Sequence, residues 1–305
     1  MRLPTTLLPK PNALLIVTLL AAIQAIAFAR VPDAPAAKPV AQAATPATSA
    51  TPEAEFPLEA YRKTVALRAT INGVPGRFTF DTAGGSTLLS PDYAKKIGCK
   101  PWGRLTGFQM MGNRLDTPRC DNVTFKIGER EMPLEVASVL DVTQFIAKDA
   151  EPVEGSIALD LFAGRTITID FPGKRLLIES PESLRERIAH ANVKELPAKL
   201  SGEIQGRALA ISIKVATNDG PVYFEVDSGN GGTILVSKPY AKYFGLDPDK
   251  EGPQEANFAI SPDFRATGMA FTPDMLLDGN IGMPFLRDKV VTLDLAAGRV
   301  WIAKP

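Results

Sequence analysis

Phe78–Ser90 reads FTFDTAGGSTLLS, and Phe224–Ser237 reads FEVDSGNGGTILVS. Each stretch runs an apolar, strand-like segment into an aspartate, then a small hydroxyl residue, small or glycine residues, a threonine, two or three aliphatics and a serine. After each serine the words still agree: Tyr93, Ala94, Lys95 and Gly98 answer Tyr240, Ala241, Lys242 and Gly245. Self-similarity of this kind decides architecture before any local reading does. Two halves that each carry one acid in the same loop can bring Asp81 and Asp227 together on a shared axis.

A second block recurs without gaps. GSIALDLFAGRTITIDFPGKRLLI from Gly155 lies over GNIGMPFLRDKVVTLDLAAGRVWI from Gly279, with Gly155, Ile157, Thr168, Asp170, Arg175 and Ile178 identical to their partners. Before each aspartate stands an alternating run, Val65, Leu67, Ala69 and Ile71 in one half and Leu209, Ile211, Ile213 and Val215 in the other. That period of two predicts half-buried strands, and Asn72-Gly73 and Asn218-Asp219-Gly220 supply hairpin reversals. Ser90 as N-cap, Pro91 in the first turn and Gly98 as stop predict a short helix after the first aspartate loop. The expected fold is mainly β, in two lobes with short helices: a first lobe over 56–180, a connection over 181–200 and a second lobe over 201–305.

Residues 1–29 read as an export signal. Arg2 and Lys10 precede an apolar run from Ala13 to Ala29 that closes on Ala27-Phe28-Ala29, a small-x-small cleavage pattern. The run is shorter than the roughly 20 residues a spanning helix needs, which favours cleavage, with an uncleaved anchor as the alternative. Of the 26 residues from Arg30 to Glu55, 17 are Ala, Pro or Thr, a composition expected of a tether that buries little. Export, periplasmic in a bacterium or secreted, gives the two cysteines meaning: Cys99 and Cys120 are candidates for a disulfide inside the first lobe, with two buried thiols as the alternative.

Composition removes several chemistries. The 34 basic and 34 acidic residues balance, and no basic block points to nucleic acid. The one histidine, His190, sits in the expected connection between lobes, where a solvent-facing side chain is the simplest reading. One His and two Cys do not assemble the usual zinc sets, and no phosphate-binding glycine motif is present, so neither metal nor cofactor is expected. Carboxylates remain. Two of them about 3 Å apart cannot both ionise cheaply, so the pair keeps one proton over a wide range; aspartic proteases are the standard illustration of that effect. The ionised member can take a proton from water and the protonated one can donate to a carbonyl oxygen.

These residues resemble the retropepsin-like aspartic peptidases, in a tandem form with both lobes in one chain. The signature Asp-[Thr/Ser]-Gly-x-x-x-[Thr/Ser] is met throughout by DSGNGGT at Asp227, and Asn280-Ile281-Gly282 followed by Met283 supplies most of the family's later element. The resemblance spans about Val65 to Ile302. It implies closed, barrel-like acid-protease lobes related by a pseudo-twofold axis, a cleft between them, and Asp81 and Asp227 as the catalytic pair. It further implies that Thr82, Ser228 and Gly229 support the active-site loops, with Thr82 and Ser228 bonded across the interface. The first lobe departs from the pattern at Ala83, where the family places glycine, and at Ala158, opposite Gly282; alanine strains either site if it needs a positive φ.

Met110, Met111 and Gly112, in the stretch Phe108–Asn113, are the candidate substrate-binding flap, or else ordinary packing. The first lobe has no tyrosine between Cys99 and Pro181, which turns the likeness from pepsins toward retropepsins. The matching stretch of the second lobe, Ala256 to Met275, is shorter and contains Pro262 and Pro273, so a reduced lid is expected there. Three functions follow as alternatives: an exported aspartic endopeptidase acting on peptides or unfolded proteins, a catalytically impaired form that binds peptides or peptide-like polymers in the same cleft, and a structural domain on a tether. The duplication makes a monomer sufficient to build one site.

Overall fold

The computed structural model describes residues 50–145 and 148–304. The expected signal segment and most of the expected tether lie outside them. Among the described residues no helix is long and apolar enough to cross a membrane.

The same strand plan is laid down twice. In the first half, Thr64–Ile71 and Val74–Phe80 form a hairpin whose turn residues Asn72 and Gly73 both have positive φ, 50° and 78°, the requirement of a tight type I′ reversal. Val74–Phe80 pairs parallel to Gly155–Ile157, which pairs antiparallel to Leu88–Leu89, itself parallel to Arg130–Val139. In the second half, the hairpin Ala208–Thr217 and Gly220–Val226 continues in parallel to Gly279–Ile281, then antiparallel to Ile234–Val236, then parallel to Arg265–Phe271. The halves give an eight-stranded and a seven-stranded sheet. A further pairing, Thr70 with Lys126, closes six strands of the first sheet into a barrel; among the described residues the second sheet has no such closing pair.

A third, six-stranded sheet takes strands from both halves in the order Ala54–Pro57, Arg175–Ile178, Thr166–Asp170, Val290–Asp294, Arg299–Ala303, Val193–Leu196. Its central pair is self-complementary. Thr168 faces Thr292, Ile167 faces Leu293 and Ile169 faces Val291, so equivalent positions of the repeated block meet around one local dyad. The hydroxyls of Thr168 and Thr292 hydrogen-bond across it at 2.8 Å, fully buried.

Alternation along the aspartate strands sorts core from site. Phe78 and Phe80 in one lobe, and Phe224 and Val226 in the other, point into apolar interiors and are all but inaccessible. Phe78 packs edge-on to Phe125 and Tyr93, and Phe224 to Phe258. The intervening residues therefore face the other way, which is how Asp81 and Asp227 leave the core and enter the cleft. The helix after the first loop spans Pro91–Lys96; Ser90 Oγ accepts from Tyr93 N at 3.1 Å, and Gly98 follows at φ +82°.

Two boundaries differ from those read in the sequence. Ala54 and Glu55, placed in the tether by composition, already pair with Ile178 and Leu177; this edge strand is held by backbone bonds, which composition does not register. The connection after Ser180 is also shorter than 181–200. A helix over Pro181–Ile188 is followed by Val193–Leu196 in the shared sheet and by Ala198–Glu203 in the second lobe. His190 lies just past that helix and is exposed.

Cys99 and Cys120 are joined by a disulfide, with Cα atoms 6.1 Å apart and 21 positions between them in sequence. It ties the loop after the helix to the long strand Arg114–Ile127. Replacing both cysteines by serine is expected to lower the unfolding free energy by about 3 kcal/mol, the chain-entropy value for a loop of this length, read from denaturation curves extrapolated to zero denaturant.

Candidate active site

Both aspartate loops leave their strands in the same way. Asp81 N donates to Ile157 O at 2.9 Å and Asp227 N to Ile281 O at 3.0 Å, so the closing strand of each half fixes where its carboxyl begins. The residues after the aspartates then lock the halves together. Thr82 N donates to Ser228 Oγ at 3.1 Å, and Ser228 N donates to Thr82 Oγ1 at 3.0 Å. Thr82 Oγ1 donates to Val226 O at 2.6 Å, and Ser228 Oγ to Phe80 O at 2.8 Å. Each hydroxyl thus accepts from one opposite backbone group and donates to another, and neither residue is accessible to solvent. The exchange leaves Asp81 and Asp227 side by side, with the Asp81 carboxyl hydrogen-bonded to that of Asp227.

The two acids differ in what surrounds them. Asp227 accepts from Gly229 N at 2.8 Å and Asn230 N at 2.9 Å on Oδ1, and from Asn280 Nδ2 at 2.7 Å on Oδ2. Asp81 Oδ1 accepts from Ala83 N at 3.0 Å, while Gly84 N donates to the main-chain oxygen of Asp81 at 3.3 Å. Burial pushes Asp81 up to about 8, with the charge of Asp227 adding to it and the backbone donors opposing. Burial also raises Asp227, but the Asn280 amide and the two backbone donors pull it back. Hydrogen bonds to the charged form favour it, so Asp227 is the ionised member and Asp81 carries the shared proton.

The first-lobe alanines cause no backbone strain. Ala83 has no positive φ, and its N–H does for Asp81 what Gly229 N–H does for Asp227. Ala158 and Gly282 share an extended conformation, at φ −113° and −99°. Their difference is one of space. A methyl on Gly282 would lie 2.2 Å from the main-chain oxygen of Asn230, which accepts from Met283 N at 2.8 Å. Gly229 is required for another reason: a Cβ there would stand 2.5 Å from Asp81 Cγ across the junction.

The hairpin Trp102–Phe108 and Arg114–Ile127 carries the candidate flap at its tip. Gln109 N donates to Asn113 O and Gly112 N to Gln109 O, and Gly112 has φ +82°. Met110 O accepts from Leu276 N at 2.8 Å, so the tip reaches the second lobe; Met111 and Leu276 are exposed beside it. Leu209 N to Gly85 O at 2.8 Å and the ion pair of Arg207 with Glu135 also cross between lobes. The second-lobe hairpin, Gln254–Ala259 with Arg265–Phe271, turns at Ser261–Phe264. A polar cavity of about 310 Å³ lies elsewhere, beside the disulfide, lined by residues such as Asn72, Lys100 and Trp102; it brings no pair of acids together.

Two residues of the site had no role assigned from the sequence: Asn280, quoted there only as part of the later element, and Glu225. Both stand where the repeats differ: Asn280 answers Ser156, and Glu225 answers Thr79. Among the described residues no cluster of three His, Cys, Asp or Glu side chains is arranged to hold a metal ion.

Residues 67–161, in the first lobe, match the family model of aspartyl proteases. No curated protein matches the chain. Two solved structures share its fold over most of their length: basic 7S globulin from soybean, 9% identical with a TM-score of 0.53, and conglutin gamma, a basic 7S globulin from lupine seeds, 10% identical with a TM-score of 0.51. Each alignment covers 82% of this chain and 94% of the other. The chain is mainly β and has the two-lobed fold of the acid-protease kind.

Ser228→Ala removes one acceptor and one donor at the buried junction, leaving Thr82 N and Phe80 O without partners. The expected loss is about 1–3 kcal/mol for each buried group left unpaired, measured by chemical denaturation. A variant as stable as the wild type would show that the junction does not hold the lobes.

Proposed function

We propose that the chain is an aspartic endopeptidase, exported, that hydrolyses peptides or unfolded proteins with a water activated between Asp81 and Asp227. The observation that carries this reading is the asymmetric pair itself. A half-buried carboxyl, Asp81, is hydrogen-bonded to a buried one, Asp227, with three further donors on Asp227 and one on Asp81. Asp227 takes a proton from the water as its oxygen attacks the scissile carbonyl carbon, and Asp81 gives its proton to the carbonyl oxygen. The tetrahedral diol collapses as Asp227 returns a proton to the leaving nitrogen and Asp81 recovers one from a hydroxyl, breaking the C–N bond and restoring both groups. The flap hairpin, at Met110, Met111 and Gly112, closes the cleft over bound peptide. The apolar run at 13–29 and the disulfide support export to an oxidising compartment. One duplicated chain builds the whole site, which supports a monomer.

A second reading, retention of peptides without hydrolysis, is favoured by one observation: the two similar solved structures are named as globulins. The readings separate with the full chain, its Asp81→Asn and Asp227→Asn variants, and a mixed peptide library analysed by mass spectrometry. Hydrolysis is expected from the wild type, with a loss of at least about 10³-fold in either variant. A folded wild type that cuts nothing at any pH supports retention; variants that cut like the wild type overturn the assignment of the pair.

The pH dependence has a defined sign. Activity needs Asp81 protonated and Asp227 ionised. Rates should therefore fall as pH rises through about 8, where Asp81 loses its proton. They should also fall in acid, at a pH above the ordinary aspartate value of 3.8, where Asp227 takes up a second proton.

A further inference from the structure

Glu225 precedes Asp227 by two residues on the strand Gly220–Val226, and alternation along a strand puts both on one face. It stands in register with Asn280 on the neighbouring strand. Asn280 Nδ2 donates to Asp227 Oδ2 at 2.7 Å and reaches Glu225 Oε2 at 3.4 Å. The other end of that amide is fixed, because Asn280 Oδ1 accepts from Asn230 Nδ2 at 2.8 Å. One amino group therefore serves two carboxyl groups, and all three side chains are buried. The first lobe has Thr79 and Ser156 at the same two places, neither of which ionises in the working range.

The charged groups that face Glu225 are Asp227, Asp81 and Glu203, all acidic. Among the described residues no lysine or arginine is ion-paired with it. A buried carboxyl next to other carboxyls and without a cation is driven to its neutral form by desolvation and by like charge. Burial, then Asp227 and Asp81, push Glu225 up to about 8.

We propose that Glu225 is a positioning residue of the site: a third carboxyl that stays protonated while the pair works and so leaves the Asn280 amide to Asp227. This rests on the reading of Asp81 and Asp227 as the reacting pair. A neutral Glu225 is a weak acceptor, and the shared amino group stays on Asp227 Oδ2, which keeps that carboxyl ionised opposite protonated Asp81. An ionised Glu225 draws the amide toward itself through its second hydrogen and sets a further negative charge beside the pair. Both effects raise the proton affinity of Asp227, and the site loses its base.

Two readouts on the full chain test this, with Glu225→Gln and Glu225→Ala. The first needs no hydrolysis: the thermal midpoint of each protein is followed from pH 4 to 9. Glu225 binds its proton more tightly folded than unfolded, so its contribution is complete below the unfolded value of about 4.3 and is lost as pH rises through about 8. The midpoint of Glu225→Gln should therefore gain on that of the wild type progressively from pH 5 to 8, and a gap that does not change with pH overturns the proposal. The second readout is the pH profile of hydrolysis. The wild type should fall more steeply than one proton allows above neutrality, and Glu225→Gln should fall at about tenfold per unit, the slope of a single proton. Glu225→Ala, which leaves the Asn280 amide to Asp227 alone, should keep the wild-type kcat below neutrality and share the single-proton slope of Glu225→Gln. Profiles of identical slope in all three proteins overturn the positioning role. A wild type without hydrolysis refutes the peptidase reading alone, and the thermal readout still decides the state of Glu225.

Discussion

Four hydrogen bonds between Thr82 and Ser228 and the opposite loops carry the arrangement on which the rest depends. Each half can fold its own hairpin and its own aspartate loop, but neither half holds two acids. The hydroxyls are suited to the junction because each both accepts and donates, so that two backbone N–H groups and two carbonyls, otherwise stranded at a dry interface, are all satisfied. Thr168 and Thr292 repeat the motif of hydroxyl pairing on the local dyad in the six-stranded sheet. The lobes are thus joined at two places by residues that are equivalents of one another.

On this symmetric frame the chemistry is asymmetric. Two equal carboxyls would leave the shared proton undecided between them. Here the second lobe adds a side-chain amide, Asn280, to the two backbone donors on Asp227, while the Asp81 carboxyl has one backbone donor. The proton is thereby assigned to Asp81, and under the proposed hydrolysis so are the roles of acid and base. Gly229 keeps the interface narrow enough for this, since any side chain there would occupy the space of the Asp81 carboxyl.

Much of this was legible because the chain says it twice. Repeated words located the aspartates, the hairpins before them, the capped helix at Ser90 and the closing strands, and the period-2 pattern showed which residues leave the core. What escaped lay in differences between the repeats. Glu225 against Thr79, and Asn280 against Ser156, are polar changes inside otherwise matched strands, and a search for identities passes over them. The strain expected at Ala83 and Ala158 depends on φ, which local sequence does not display, and both backbones take conformations open to alanine. The bond from Leu276 N to Met110 O joins two segments outside the repeated words. Ala54–Pro57 is a strand held by backbone pairing and by buried Phe56, at the end of a stretch whose composition reads as a tether.

The central claim is that the cleft is built around two acids sharing one proton and complementary to a tetrahedral centre. The most direct measurement is calorimetric binding of a non-cleavable peptide with a hydroxyl-bearing tetrahedral carbon in place of the scissile carbonyl. Wild type, Asp81→Asn and Asp227→Asn would be compared at the same pH. The account predicts that the wild type binds at least about 100-fold more tightly than either variant, as complementarity to the transition state requires. Equal binding by all three would contradict it, because the peptide would then be held without reference to the pair.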